Sequence, residues 1–277
     1  MLRVSTTSTA AFFVLFLTAS ARGQSLNVAF GPTNMQPTSI YAAAGLPGYW
    51  NAMTAANGTT TFNLKNLAGV STPVRLYQYG GTQLMHINDP LTSGDDQTLM
   101  DHFLVTYTPS LETCLFFNDL QNGVYEVLTY GWMPRNPGIM AYTSSDEEPG
   151  YPHEIVGGAW PGGHQELVTY SRHYCIVGPP VNGRLRVHSG IVPGAPAANG
   201  AAMNGVQIRK LPAAAPADMN CDGAQDAEDV GIFIQALVDR ESYYADHPTC
   251  RILNGDLNGD WDIDTDDVAP FVTALLN

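Results

Sequence analysis

The chain has 277 residues, and 26 acidic against 12 basic residues give it a formal net charge of −14. The sequence contains no basic patch of the kind that phosphate contacts require, so we predict no binding to nucleic acid. The acidity is concentrated at the end of the chain, where residues 218–277 carry 12 Asp and 2 Glu against 2 Arg. Residues 1–217 contribute only −2 of the net charge.

Residues 1–23 have the pattern of a secretory signal peptide. Arg3 supplies a positive charge, residues 10–17 form an apolar run, and Ala21 and Gly23 place small residues before a cleavage point ahead of Gln24. The apolar run is shorter than the roughly 20 residues that cross a bilayer as a helix. We therefore predict export and cleavage, with no membrane span after the signal is removed.

Residues 24–210 are predicted to form one mostly β domain. Roughly 190 residues suffice for a single hydrophobic core. Short runs rich in Val, Tyr and Thr alternate with Gly and Pro, as is typical of strands joined by turns. This pattern predicts a β-sandwich or jelly roll, with one short helix at residues 40–44. The predicted strands include residues 74–79, 103–107, 124–130, 166–170, 173–177, 184–188 and 205–209.

Three short motifs in this domain resemble those of a known class of fold. They are residues 122–127 (Asn-Gly-Val-Tyr-Glu-Val), residues 182–187 (Asn-Gly-Arg-Leu-Arg-Val) and residues 202–208 (Ala-Met-Asn-Gly-Val-Gln-Ile). These motifs are similar to strands of malectin-like and galactose-binding-like jelly rolls. The resemblance implies that fold. It suggests carbohydrate recognition, which a fold alone does not establish.

Aromatic side chains in the loop-rich segment 130–165 are the candidate carbohydrate contacts. Sugar rings stack their apolar faces on Trp and Tyr rings, and the surrounding Pro and Gly residues predict exposed loops. The candidate rings are Trp132, Tyr142, Tyr151 and Trp160, and the candidate partners for sugar hydroxyls are Arg135, Asn136, Asp146 and Glu154. The alternative interpretation is that these rings pack within the core or between loops.

No catalytic motif is recognisable in the sequence, which lacks the Gly-x-Ser-x-Gly nucleophile elbow and the His-Glu-x-x-His metal pattern. A glycosidase would need two carboxyl groups facing each other across a cleft, and the sequence alone does not show such a pair. The candidate acids are Asp89, Asp95, Asp96, Asp101, Glu154 and Glu166, and turn formation is the alternative role for them. His153 and His164 lie beside a Gly-rich segment. They are candidates for a metal or catalytic site, and the alternative is that they lie on the surface or pack against strands.

The acidic tail contains the same acidic unit twice, at residues 218–229 and again at residues 256–267. Each copy has side-chain oxygens at positions 1, 3, 5, 9 and 12, and an apolar run with helical spacing follows it. Calcium takes six to eight oxygen ligands from a loop of this spacing, including the carbonyl at position 7. The predicted ligands are Asp218, Asn220, Asp222, the Ala224 carbonyl, Asp226 and Asp229 in the first loop, and Asp256, Asn258, Asp260, the Asp262 carbonyl, Asp264 and Asp267 in the second.

With Asp at position 12 and one helix after each loop, residues 218–277 resemble a dockerin type I module. The resemblance implies two calcium sites, a pair of helices and docking to a cohesin-like protein. Two positions depart from the pattern: Trp261 occupies position 6, where the turn favours Gly, and Gln225 stands where an apolar residue usually packs. Residues 211–217, rich in Pro and Ala, are predicted to form a short semi-rigid linker.

Four cysteines fit an oxidising compartment, and four cysteines can pair in three ways. The pairing that respects the predicted domain boundary joins Cys114 to Cys175 and Cys221 to Cys250. The second bond would link the two calcium repeats, which matters for so small a module.

The sequence therefore predicts a secreted, mostly β protein, in which a β-sandwich is followed by a small α-helical, dockerin-like calcium-binding domain. The predicted function is attachment to, or processing of, extracellular polysaccharide, with calcium as the cofactor and a cohesin-like protein as a further partner. Two alternatives remain open. One is a polysaccharide-degrading enzyme with an unrecognised site, and the other is a structural surface or matrix protein.

Overall fold

The computed structural model describes residues 24–54, 58–81, 83–108, 111–145, 153–178, 183–196, 200–247 and 250–276. The predicted signal peptide, residues 1–23, lies outside this part of the chain, and so do Asp146 and Tyr151. Within the described ranges, strands greatly outnumber helices. The predicted mostly β class is therefore confirmed.

The strands, in chain order, are β1 (Leu26–Phe30), β2 (Trp50–Met53), β3 (Thr60–Thr61), β4 (Arg75–Tyr79), β5 (Gln83–His86), β6 (His102–Thr106), β7 (Thr113–Asn118), β8 (Gly123–Tyr130), β9 (Met140–Ser145), β10 (Glu154–Gly157), β11 (Tyr170–Val177), β12 (Leu185–Ile191), β13 (Ala201–Met203) and β14 (Gly205–Lys210). The helices are α1 (Gly94–Met100), α2 (Glu228–Val238), α3 (Arg240–Asp246) and α4 (Val268–Leu275), and two single 3-10 turns span Ile252–Asn254 and Thr265–Asp267.

These strands form three sheets in the described chain. A five-stranded sheet has the order β11-β8-β14-β1-β2, a six-stranded sheet has the order β10-β9-β12-β7-β4-β3, and a small sheet has the order β13-β6-β5. The pairing of β1 with β2 is parallel, whereas β1 pairs with β14 in the antiparallel sense. Leu26 lies opposite Ile208 in that pair, so the first and last strands of the sandwich are neighbours.

The main core lies between the two larger sheets. Leu26, Val127 and Ile208 reach it from the five-stranded sheet, and Leu115 and Val187 reach it from the six-stranded sheet. Each of these side chains is at most 1% exposed. Because successive side chains on a strand point to opposite faces, every second residue is committed to this core. Burying each one stabilises the fold by about 1.5–3 kcal/mol, and the predicted β-sandwich is confirmed.

Six of the seven predicted strands are present with shifted ends, and two predicted elements are wrong. Residues 166–170 form a turn in which Leu167 has φ +60°, and only a single bridge joins Glu166 to Tyr170. The predicted helix at residues 40–44 is absent as well. Ala43 has φ +49°, a left-handed conformation that a right-handed helix does not accommodate.

One predicted disulfide is confirmed and the other is wrong. Cys221 and Cys250 are bonded, with the sulfur atoms 2.03 Å apart. Cys114 and Cys175 are both buried thiols. Cys175 faces the core, but Cys114 precedes Leu115, whose side chain faces the core. Since neighbours on a strand point to opposite faces, Cys114 points away from Cys175, and the two sulfur atoms cannot meet.

The helices that follow residue 211 form a second apolar cluster, which packs against the five-stranded sheet. The rings of Phe233 in α2 and Phe271 in α4 are stacked with their centroids 3.9 Å apart. The cluster includes Val124 of β8 and Tyr174 of β11. Leu211, only 5% exposed, donates its backbone N–H to the carbonyl of Val124. The helices predicted after both acidic loops are confirmed as α2 and α4, and α3 is an element that the sequence pattern missed.

Of the helices in the described chain, none combines the length and the apolar character that crossing a bilayer requires.

Candidate functional site

A cleft of about 530 Å³ opens between three loops of the sandwich. The loops follow β5, β8 and β10, so residues far apart in sequence meet at one place. The cleft is lined by Asp89, Pro90, Leu91, Trp132, Arg135, Pro137, Ala159 and Trp160.

Trp132 forms the buried side of this cleft and is only 3% exposed. Its backbone N–H donates to Asn204 Oδ1 at 2.6 Å, and its indole Nε1–H donates to the carbonyl of Gly158 at 3.0 Å. The amide of Asn204 in turn donates to the carbonyl of Met100 at 2.6 Å. Because the one polar atom of its side chain is already hydrogen-bonded, Trp132 holds the two loops beside it in place. The ring presents little exposed surface to a ligand.

Trp160 is the more exposed of the two rings. It is half-buried, and its ring centroid lies 5.1 Å from that of Trp132, with 56° between the ring planes. The His164 ring stands edge-on to it at 6.0 Å. A ring supported by neighbours loses little further freedom when a ligand packs on it, so Trp160 is the residue best placed to contact a ligand.

Asp89 orders the polar rim of the cleft. Its carboxylate accepts the backbone N–H of Leu91 at 2.9 Å and that of Arg135 at 2.5 Å. Arg135 has φ +60°, which is uncommon for a residue with a side chain. Its Nε–H donates to the carbonyl of Asn88 at 2.6 Å. The exposed guanidinium of Arg135 is thereby held at the rim, where it can donate hydrogen bonds.

Of the predicted sugar contacts, the cleft brings together Trp132, Trp160 and Arg135. Tyr142 lies on β9 and stacks on His153 with ring centroids 4.9 Å apart, and it does not line the cleft. Asn136 and Glu154 do not line it either.

The sequence pattern indicated Asp89 only as a candidate acid, and it did not indicate Leu91. The signal for both is the stretch Asn88-Asp89-Pro90-Leu91, because Asp before Pro is typical of an exposed turn.

A hydrogen-bonded polar group lies behind Trp160. The hydroxyl of Tyr41 donates to Asp96 Oδ1 and lies 2.6 Å from His164 Nε2. The hydrogen bond from His164 lowers the pKa of the Asp96 carboxyl, whereas burial raises the pKa of the Tyr41 phenol far above its usual value. Two predicted candidates, Asp96 and His164, are therefore partners in one network that supports the ring of Trp160.

Two of the candidate acids, Glu154 and Glu166, lie with Glu126 around Arg172 on β11, beneath α3. Arg172 donates to Glu126 at 2.5 Å and to Glu166 at 3.1 Å, and its backbone N–H donates to Glu154 at 3.2 Å. Although burial opposes its charge, Arg209 and Arg172 hold the pKa of Glu126 below its usual value. These carboxylates contact Arg172 and do not line the cleft, so their arrangement is that of a structural ion network.

The two acidic loops share one hydrogen-bond pattern. In the first loop, Gly223 N–H donates to Asp218 Oδ2 at 3.1 Å, and Met219 N–H donates to Asp229 Oδ1 at 2.7 Å. In the second loop, Trp261 N–H donates to Asp256 Oδ2 at 3.0 Å, and Leu257 N–H donates to Asp267 Oδ1 at 2.8 Å. Each donor and each acceptor of the second loop occupies the same loop position as its counterpart in the first. Both segments therefore fold into the same turn.

The first loop has one feature that fits a bound cation. Asp218 is 4% exposed, and its Oδ1 is buried without a hydrogen-bond partner in the described chain. A buried carboxylate oxygen is costly unless a donor or a cation meets it. No three His, Cys, Asp or Glu side chains gather in a metal-holding group within the described ranges. The predicted calcium set, however, also uses the Asn220 side chain and the Ala224 carbonyl, so the donor chemistry of the loop fits calcium.

No protein-family model matches the chain, and no curated protein matches it. Among solved structures, the CBM36-1 domain of a multidomain xylanase from the hindgut metagenome of Trinervitermes trinervoides matches 48% of this chain and 90% of its own, with 13% identity and a TM-score of 0.30. CBM35 from Cellvibrio japonicus Abf62 matches 48% and 91%, with 11% identity and a TM-score of 0.26.

A third similar structure is the ANXUR1 extracellular domain from Arabidopsis thaliana, with 12% identity and a TM-score of 0.40 over 68% of this chain. The match spans 49% of that chain, and a match to the complex of RALF23 with FER and LLG2 spans 44% of its chain. Likenesses at this level carry no argument about function.

Proposed function

We propose that the β-sandwich binds an extracellular polysaccharide in the cleft lined by Trp132 and Trp160. The observation that carries this proposal is the half-buried ring of Trp160, which is held against Trp132 at the edge of a cleft of about 530 Å³. Apolar C–H faces of sugars pack on such rings. The exposed guanidinium of Arg135 supplies donors for sugar hydroxyls, and a few placed polar groups in an apolar cleft are typical of ligand sites.

The proposal is tested with the full-length protein on a glycan array and on insoluble polysaccharides. We expect retention by at least one glycan and loss of that retention in Trp160→Ala. Phe62→Ala is the matched control, because Phe62 is a 63% exposed aromatic residue that does not line the cleft. Binding to no glycan, or equal loss in both variants, would contradict the proposal.

We also propose that the two acidic loops bind calcium, one ion each, as the dockerin-like spacing implies. Support comes from the shared hydrogen-bond pattern of the loops and from the unpartnered buried oxygen of Asp218. Calcium would neutralise the clustered carboxylates and hold the loop closed. The residues that would hold the ions are Asp218, Asn220, Asp222, Ala224, Asp226 and Asp229 in the first loop, and Asp256, Asn258, Asp260, Asp262, Asp264 and Asp267 in the second.

A second candidate function is docking to a protein partner such as a cohesin-like module. Val230, Ile234 and Val238 form an exposed apolar stripe on α2, with exposures of 39%, 51% and 78%. The corresponding residues are Val268 and Val272 on α4 and Leu276 just after it, with exposures of 41%, 50% and 81%. Exposed apolar patches on small modules are typical of protein contacts.

This docking function is tested by titrating purified cohesin-like modules against the full chain. Ile234→Glu combined with Val272→Glu should abolish binding, because it charges both stripes. The control is Val70→Glu, which charges a 60% exposed residue of the sandwich. Binding that survives the double change would exclude these stripes as the contact.

We propose that the protein acts outside the cell. The Cys221–Cys250 disulfide supports an oxidising compartment, and the pattern of residues 1–23 supports export. Sequencing the amino terminus of the exported protein should give Gln24 as the first residue. Retention of residues 1–23 in a cell-associated form would contradict this.

A further inference from the structure

A polar cluster lies on the outer face of the six-stranded sheet, and none of its residues lines the Trp160 cleft. Cys114 on β7 lies directly opposite His188 on β12, and His188 lies opposite Ser144 on β9. Cross-strand partners share one face of a sheet. Because Leu115 and Val187 face the core, the residues that precede and follow them, Cys114 and His188, face outward.

The geometry of this cluster follows the order of nucleophile, base and orienting carboxylate. Cys114 Sγ lies 3.9 Å from His188 Nε2, and His188 Nδ1 lies 2.8 Å from Glu112 Oε2. The other oxygen of Glu112 accepts a hydrogen bond from the hydroxyl of Tyr142, and the Tyr142 ring stacks on His153. When Nδ1–H is donated to the carboxylate, Nε2 is the ring nitrogen that can take a proton from the thiol.

The ionised carboxylate of Glu112 can stabilise the imidazolium that forms when His188 takes the thiol proton. The hydrogen bond from His188 lowers the pKa of Glu112 to about 2, with further help from Tyr142 and His153, so the carboxylate stays ionised. Cys114 and His188 are 5% and 9% exposed. The Glu112 side chain is 37% exposed. The cluster is thus mostly shielded from water but reaches the surface at Glu112.

Ser144 gives a second, independent indication of a ligand. It is 1% exposed, and its hydroxyl has no hydrogen-bond partner in the described chain. A buried hydroxyl without a partner is costly. Ser144 and Cys114 lie on either side of His188 on the same face of the sheet. A small polar group bound over His188 would therefore lie between the hydroxyl and the thiol.

We propose that Cys114 is a nucleophilic thiol that accepts acyl groups from small esters, with His188 as the general base and Glu112 as a positioning residue. The thiol proton passes to His188 Nε2 as sulfur bonds to the carbonyl carbon of the ester. The ester C–O bond breaks, and the alcohol leaves with that proton. Water then cleaves the thioester, which releases the acid and restores the thiol.

The test treats the native full-length protein with p-nitrophenyl acetate, and separately with iodoacetamide, and locates the modified residues by peptide mass spectrometry. We expect both reagents to modify Cys114 well before Cys175, the core-facing thiol, which serves as an internal control. His188→Gln should slow the modification of Cys114 about a hundredfold, within the range for general-base catalysis. Glu112→Gln should shift the pH profile of alkylation, and Glu112→Asp should restore part of it.

Several outcomes would overturn the proposal. In the wild-type protein, modification of Cys114 no faster than that of Cys175 would do so. This comparison does not depend on whether a variant folds. Alkylation without acetyl transfer would exclude the acyl step. Equal rates and pH profiles in folded His188→Gln and Glu112→Gln proteins, with folding checked by thermal melting, would remove the base and the positioning residue.

Discussion

The guanidinium of Arg172 lies over the ring of Tyr244, 3.6 Å from its centroid, and this contact joins the sandwich to the C-terminal helices. Arg172 belongs to β11 and Tyr244 to α3. A second contact joins the same two elements, because the hydroxyl of Tyr170 donates to Glu241 at 2.7 Å. The acidic loops therefore belong to a unit that packs on the sandwich. Calcium binding should stabilise both parts, since a ligand that binds only the folded state adds to its stability.

Removing the Tyr244 ring should weaken the whole protein. Tyr244→Ala deletes the cation–π contact with Arg172 and the hydroxyl contact with Tyr174. We expect a loss of about 2–4 kcal/mol in the free energy of unfolding, from lost packing and cation–π attraction. Tyr244→Phe, which keeps the ring, should lose about 1 kcal/mol. Urea unfolding checks both, and an unchanged midpoint in Tyr244→Ala would show that α3 does not stabilise the sandwich.

Glu154 should make stability fall as pH rises. Burial raises its pKa from 4.5 to about 7, whereas burial lowers the pKa of neighbouring His173 to about 4, so His173 is neutral near pH 7 and does not offset the carboxylate. The raised pKa means that the folded state holds the proton more tightly than the unfolded state. The resulting stability is fully present below pH 4.5 and is lost as pH rises through about 7.

The pH effect is measured by comparing the wild type with Glu154→Gln in urea at pH 5 and pH 8. The variant keeps an acceptor for the Arg172 N–H but cannot ionise. We expect it to gain up to about 3 kcal/mol over the wild type at pH 8, and much less at pH 5. A gain that is the same at both pH values would mean that Glu154 titrates normally.

The two proposed calcium loops should lose binding independently of each other. Asp218→Ala should abolish or weaken binding in the first loop, and Asp256→Ala should do the same in the second, because each change removes the oxygen at position 1. Isothermal titration should then show one tight site in place of two. Chelation of the wild type should reduce the helical signal, since binding and folding are coupled. Unchanged stoichiometry and affinity in both variants would contradict the calcium proposal.

Position 6 offers a matched test of turn strain in the two loops. Trp261 adopts φ +75° where Gly223 adopts φ +92°, and a side chain in such a conformation costs about 1–3 kcal/mol. Trp261→Gly should therefore tighten calcium binding at the second loop. Gly223→Ala should weaken the first, because space around Gly223 is open and only the backbone conformation changes. Weaker binding in Trp261→Gly would show that packing of the indole outweighs the strain.

The acidic loops were predictable because their contacts are local. The acceptor Asp229 and the donor Met219 are ten residues apart, so spacing in the sequence is enough to indicate the turn. The Cys221–Cys250 bond likewise joins segments that the repeat itself brings together. Whether the loops hold calcium remains a prediction.

The cleft depends on contacts that spacing does not show. Asp89 reaches Arg135, 46 residues away, and Trp132 reaches Asn204, 72 residues away. Both contacts follow from the order of strands in the sheets, which a sequence pattern does not specify. The predicted disulfide between Cys114 and Cys175 was wrong for the same reason. Strand register decides the face on which a residue lies, and a shift of one residue moves it to the other face.

The central claim, that the Trp160 cleft binds carbohydrate, is tested most directly by calorimetric titration of a soluble fragment of the retained glycan into the wild type, Trp160→Ala and Trp160→Phe. Loss of a ring that anchors a ligand costs about 2 kcal/mol, so we predict that Trp160→Ala binds more than tenfold more weakly. Trp160→Phe should stay closer to the wild type because it keeps an aromatic face. Equal affinity in the wild type and Trp160→Ala would contradict the claim.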